Sequence, residues 1–285
     1  MYFSDMHVKD SVMLNIETSQ IKVIALKEFR DRIRNRWVIA VSVIFTAFAL
    51  AITYFGSAQQ GEIGLHGIEV TIASLVSLVI YLIPLIALIL GYDAIVGERE
   101  RGSLDLLLSM PITRLELLLG KFLGLSAALA SATLIGFGLV GILLAYQINL
   151  DALYHYVGFM ISAILLGMVF LSLAVMVSVM SKDRARASGA AISVWFLFVL
   201  VYDLILLGLL VLSGGSFGEA LFPLLLLLNP ADIFRVLNIF STEDLKVFYG
   251  LATVFPASLS SPWLLGSMMI AWIVMPLTVA FWRFK

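Results

Sequence analysis

Six long apolar runs decide what this chain can become. Trp37–Phe55 has 19 residues without a charge, and Val70–Tyr92 is a second uncharged run. Four more follow at about Leu115–Tyr146, Val157–Met180, Ser188–Leu212 and Trp263–Trp282. A helix needs about 20 apolar residues to cross the hydrocarbon core of a bilayer. A soluble core could not absorb so many runs: 61 % of the 285 residues are hydrophobic and only 13 % are charged. The expected fold is therefore an all-α integral membrane protein with six transmembrane helices. Pro84 lies inside the second run, where a neighbour or a water can take up the carbonyl that proline leaves free.

The charges divide between the two ends of these helices. Ile21, Ala25, Phe29, Ile33 and Trp37 recur every four residues, with Ile24 beside them, while Lys22, Arg30, Arg32, Arg34 and Arg36 fall largely elsewhere on the wheel. This is a basic amphipathic helix suited to the headgroup plane. The charged region before the first apolar run spans about 36 residues, far too long for a signal peptide. Residues 1–36 form an N-terminal segment with this helix, and 37–285 form the transmembrane domain, with a loop at 93–121 and a segment at 213–262. Alternating the spans puts 16 of the 18 Lys and Arg residues on one side and leaves Arg235 and Lys246 on the other. The positive-inside rule then predicts an inner-membrane protein with both termini and the 93–121 loop in the cytoplasm.

Within that loop Glu98, Arg99, Glu100 and Arg101 stand in a row before Gly102, a poor helix residue. Ser103 is placed to cap a short helix, Ser103–Met110, with Asp105 in its first turn. Leu104, Leu107 and Leu108 fall at i, i+3 and i+4 and form an apolar face, expected to be exposed and to dock a partner. Pro111 ends the helix. Thr113 and Glu116 have the spacing of a capping box that opens the third span.

Several chemistries are missing from the sequence. Gly120-Lys121 is followed by Phe122 and position 115 is Leu, so no phosphate-binding loop forms there. There is no cysteine for thiolate chemistry. His66, His155 and the methionines 160, 168, 176 and 180 offer ligands for a copper path, but the methionines make no single stripe and read as packing. No catalytic and no metal-ligating residue is assigned. Asp203 is the only charge between Arg186 and Glu219 and lies 15 residues into the fifth run. It reads either as a translocation site or as a structural hydrogen bond near the outer surface. Between residues 213 and 262, Asn229 caps and Pro230 starts a surface helix. Phe234, Leu237 and Phe240 form an apolar face there for membrane or a periplasmic partner, Arg235 is a further candidate contact for that partner, and Asp232 can pair with Arg235 on the polar side.

The stretch ERERGSLDLLLSMPITR resembles the cytoplasmic loop of ABC-2 type permeases, whose pattern it follows without departure. The basic N-terminal helix then corresponds to the family's elbow helix, and Ser103–Met110 to its coupling helix. The resemblance implies a homodimeric, non-catalytic permease driven by a separate cytoplasmic ATPase that binds ATP and Mg. It assigns docking of that ATPase to Glu98, Arg99, Glu100, Gly102, Ser103, Leu104, Leu107, Leu108 and Pro111. Three further stretches, at 70–98, 194–215 and 224–240, resemble the permease family of nitrous-oxide reductase maturation. That family works with a periplasmic β-helix protein and supplies sulfur or copper for the reductase's copper centre. A mechanical scaffold that moves no cargo, and a generic exporter of lipid or drug, are the alternatives.

Overall fold

The computed structural model describes residues 18–55, 68–145, 150–213, 221–239, 259 and 261–284. The elements among them are helices: α1 (Thr18–Arg34), α2 (Trp37–Phe55), α3 (Ile68–Gly91), α4 (Val96–Glu100), α5 (Ser103–Leu108), α6 (Arg114–Ala145), α7 (Leu150–Met180), α8 (Arg184–Phe196), a π-helical turn (Leu197–Val201), α9 (Tyr202–Leu212), α10 (Phe222–Leu226), α11 (Pro230–Ile239) and α12 (Pro262–Arg283). Among the described residues six stretches are long and apolar enough to cross a membrane: α2, α3, α6, α7, the run from α8 through α9, and α12. They fall on the six expected runs. The fourth begins earlier than its apolar run suggests. Asp151, Tyr154, His155 and Tyr156, which precede that run, lie inside α7. Tyr156 is fully buried and its hydroxyl donates to the Phe137 carbonyl at 2.9 Å, which anchors the added turns.

The hub of the bundle is α7, which packs against α3, α6, α8, α11 and α12. Its span is 67 % buried, whereas the fifth span is 11 % buried. Small residues and hydroxyls hold such helices together, because lipid supplies no hydrophobic drive between them. Gly136 lets Phe45 of α2 close on α6, and Ser42 and Thr46 donate to the carbonyls of Ala132 and Gly136 at 3.4 and 3.2 Å. Aromatic rings fill the centre at one end. Phe45 stacks on Phe137 at 5.1 Å, Phe137 meets Phe159 edge-on at 5.5 Å, and Phe159 lies 6.2 Å from Phe234 of α11.

Along α6, α1 crosses over Gly120 and Gly124. The approach is so close that a Cβ at Gly124 would sit 2.5 Å from the Ala25 carbonyl oxygen. Ile24 and Phe29 of its apolar face pack on the bundle, but Ile33 is 43 % exposed, together with Val23 and Leu26. Glu28 and Arg32 take the inward place instead, because a buried lysine on α6 faces them.

Candidate functional site

The segment joining α3 to α6 is built from local rules. Gly102 has φ +71°, a left-handed conformation that glycine adopts without strain, and it is Gly102 that caps α5. Ser103, expected to be the cap, is the first helical residue. Its hydroxyl turns back to the Glu98 carbonyl and carboxylate, at 3.3 and 3.2 Å. α5 ends at Leu108 rather than Met110. The capping box is present: Thr113 N–H donates to Glu116 at 2.7 Å, and Glu116 N–H donates to the Thr113 hydroxyl at 3.2 Å.

Ion pairs wire this segment to the helices around it. Lys121 is 5 % exposed, and its ammonium lies 2.7 Å from Glu98 and 3.3 Å from Glu28. Glu28 also accepts two bonds from Arg32, at 2.9 and 3.2 Å. One buried cation therefore joins the segment before α5 to both α1 and α6. Burial pushes the Glu28 carboxyl up, but Lys121 and Arg32 together pull it further down, to a net value below the usual 4.5. Arg99 donates to the Ser181 carbonyl at 2.8 Å and reaches that of Val179, where α7 ends. The Ser178 hydroxyl accepts from the backbone of Ile95 and Val96. Arg184 of α8 lies 2.7 Å from Asp93 and 3.4 Å from Glu100, a charge contact in which Arg184 Nε–H is not aimed at the Asp93 oxygen. Gly97 leaves room for it, since a Cβ there would fall 2.2 Å from Asp93 Oδ1. Arg114 donates to the Phe284 carbonyl beyond α12 at 3.1 Å.

The leucine face corrects an expectation. Leu104 is 7 % exposed, and the half-buried Leu107 and Leu108 pack on the core of the bundle. A helix of six residues has too few internal bonds to stand alone, so it docks its apolar face on its own protein. The outward face is Asp105, Leu106, Ser109 and Met110, with Leu106 67 % exposed. Pro111 is also exposed, and Arg99, Glu100 and Gly102 border this face.

At the opposite end, Asp203 is not isolated. Arg235 of α11 reaches it at 3.1 Å and also pairs with Asp232, as the spacing predicts. Asn229 caps α11 as expected, accepting from Ala231 N–H at 3.0 Å, and its amide donates to Asp232 at 2.9 Å. The apolar face of α11 does not reach outward. Phe234 is fully buried against Phe159, and Leu237 packs on the core, because α11 lies into the bundle against α3, α7 and α12. Neither is open to a partner. Phe240 lies outside the described residues. Among the described residues no three His, Asp or Glu side chains gather as a metal site.

Sequence reasoning did not find Lys121, Glu28, Asp93 and Arg184 as parts of the site. Lys121 gave one signal: a lysine within an apolar span needs a partner. Residues 22–285 match the family described as ABC-2 family transporter protein. A relative from Stutzerimonas stutzeri, named Probable ABC transporter permease protein NosY, is 46 % identical over 94 % of this chain and 98 % of its own length. A Pseudomonas aeruginosa protein of the same name is 47 % identical over 85 % of this chain and 90 % of its own. With its six spans and its wired segment between the second and third, the chain belongs to the ABC-2 family of transporters, as a multi-pass membrane permease.

Proposed function

We propose that this permease works as a homodimer in the inner membrane, with a cytoplasmic ATPase of the NosF kind at α5 and a periplasmic β-helix protein of the NosD kind at the other end. ATP and Mg belong to the ATPase. The complex serves maturation of the copper centre of nitrous-oxide reductase, by supply of sulfur or copper. Support for this task comes from the NosY relatives and from the lineage stretches in the sequence.

The observation that carries the coupling role is the Glu98–Lys121–Glu28 bridge. A push on α5 is passed by it to α1 and α6, by Arg99 to the end of α7, and by Arg184 to α8. The Lys121 bridge is buried and the Arg99 and Arg184 links nearer the surface run to three different helices, so the elements move together and not one at a time. Leu106 and Met110 are the contacts that receive the push, and the leucines behind them hold α5 to the bundle. Leu106→Asp should leave the permease in the membrane and abolish co-purification of the ATPase. Full recovery of the ATPase with that variant would sink the assignment.

A second reading has one observation in its favour. The aromatic rings of Phe45, Phe137, Tyr156 and Phe159 fill the protomer between α2, α6 and α7. A filled interior suits a machine that moves its periplasmic partner and passes no cargo through the protomer.

A further inference from the structure

The fifth span is held at its outer half in an unusual way. α9 buries one residue, Leu206, and an apolar gap lined by Leu206, Leu209, Leu210, Phe222 and Leu225 lies between α9 and α10. By contrast Asp232, Ile233 and Phe234 of α11 are fully buried. Three polar links hold the loosely packed part, two of them to α11 and its cap and one to α10. The Asn229 amide donates to the Phe198 carbonyl at 2.9 Å, inside the π turn. The Tyr202 hydroxyl donates to the Leu225 carbonyl at 2.6 Å. Arg235 bridges Asp203 and Asp232. All three gather where α8 passes through the π turn into α9. A π turn widens the helix by a residue and breaks its regular ladder, which makes it a natural bending point.

We infer that Asp203 and Arg235 form a releasable clasp, which holds the outer half of the fifth span against α11 and lets it swing about the Leu197–Val201 turn when it opens. The side chains of Asp203 and Arg235 are 38 % and 34 % exposed, so water can take over their hydrogen bonds as they part. Asp232 keeps half of the guanidinium when Asp203 leaves, so the arginine is never left bare. The fixed jaw is α11, and α9 is the jaw that moves. This goes beyond the coupling role proposed for α5, and only its nucleotide arm rests on that role.

The natural absence of cysteine makes the test direct. Spin labels at Leu212→Cys and Trp263→Cys, positions 88 % and 89 % exposed, report the distance from the end of α9 to the start of α12. Single-label samples identify pairs that arise between protomers. The parent protein in lipid nanodiscs should give one narrow intraprotomer distance. Asp203→Asn should add a second, longer population, and Asp203→Glu, which keeps the carboxylate, should restore the narrow one. Trapping the permease–ATPase complex with ATP and vanadate should add the longer population in the parent. An unchanged distance in Asp203→Asn overturns the clasp. So does equal broadening in Asp203→Asn and Asp203→Glu, which marks a packing role only. ATP hydrolysis in the same complex with no change at α9 overturns it as a moving part. A permease that acquires no ATPase counts against the coupling role instead, and the Asp203→Asn arm then decides the clasp alone.

Discussion

Replacing Lys121 by methionine keeps the length of the side chain and removes the cation between Glu98 and Glu28. At 2.7 and 3.3 Å the two attractions are roughly 6 and 5 kcal/mol gross at an effective dielectric of about 20. Desolvation of three charges cancels most of that, so the gross figures are not the loss. Removing one partner of a buried pair costs about 3–5 kcal/mol, because the other charge is left behind. Here Arg32 still holds Glu28 with two bonds, and Glu98 is 18 % exposed and keeps the Ser103 hydroxyl. The expected loss is therefore at the low end, about 3 kcal/mol. For a chain of this size that is a fall in Tm of roughly 6–12 °C. The assay is thermal unfolding in detergent or nanodiscs, run as a cycle with Glu98→Gln and the double variant. The double variant should be less damaged than the two single losses added together, by at least about 1 kcal/mol, since one carboxylate no longer needs the cation. A Lys121→Met protein melting within about 2 °C of the parent would refute the reasoning. So would strict additivity in the cycle.

Gly124→Ala should lower stability by about 1–3 kcal/mol, because the new Cβ meets the Ala25 carbonyl oxygen and the Glu28 Cβ within 2.7 Å. Gly138→Ala, where nothing lies within 4 Å, should not, and equal effects at both positions would remove close packing as the cause. The Glu28 carboxyl ionises below 4.5 in the folded chain, so its network contributes stability at neutral pH and loses it as pH falls below that value. Melting temperature should stay level from about pH 7 to 5 and then drop, less steeply in Glu28→Gln. A drop complete by about pH 6, or the same slope in both proteins, would point to other groups.

The spans were legible because a bilayer leaves the backbone one solution per apolar run, and length and composition report it directly. The capping box at Thr113 and Glu116 and the cap at Asn229 were legible for a similar reason, since each satisfies donors within three residues along the chain. Orientation of short amphipathic faces was not. The wheel shows that Leu104, Leu107 and Leu108 of α5 lie together, and that Phe234 and Leu237 of α11 do. It does not say whether the protein itself or a partner covers them, and here the bundle does. The same limit hid the turn of α1, where Glu28 displaces Ile33 from the inward side because Lys121 comes from a helix 93 residues further on. Contacts at such separations leave no local pattern to read.

The ion-pair groups around Lys121 and Arg235 also differ in the order in which a ribosome delivers them. Lys121 follows both of its carboxylates in the chain, Glu28 by 93 residues and Glu98 by 23. When this lysine enters the membrane its counter-ions have already been made, and the charged end of the bundle can be neutralised as it is inserted. Asp203 has the reverse history, since its arginine comes 32 residues later. At elongation rates of about 5–20 residues per second, that is roughly 2–6 s in which the carboxylate has no partner. The nascent chain thus completes the Lys121 bridge beside α5 before the Asp203–Arg235 pair at the other end.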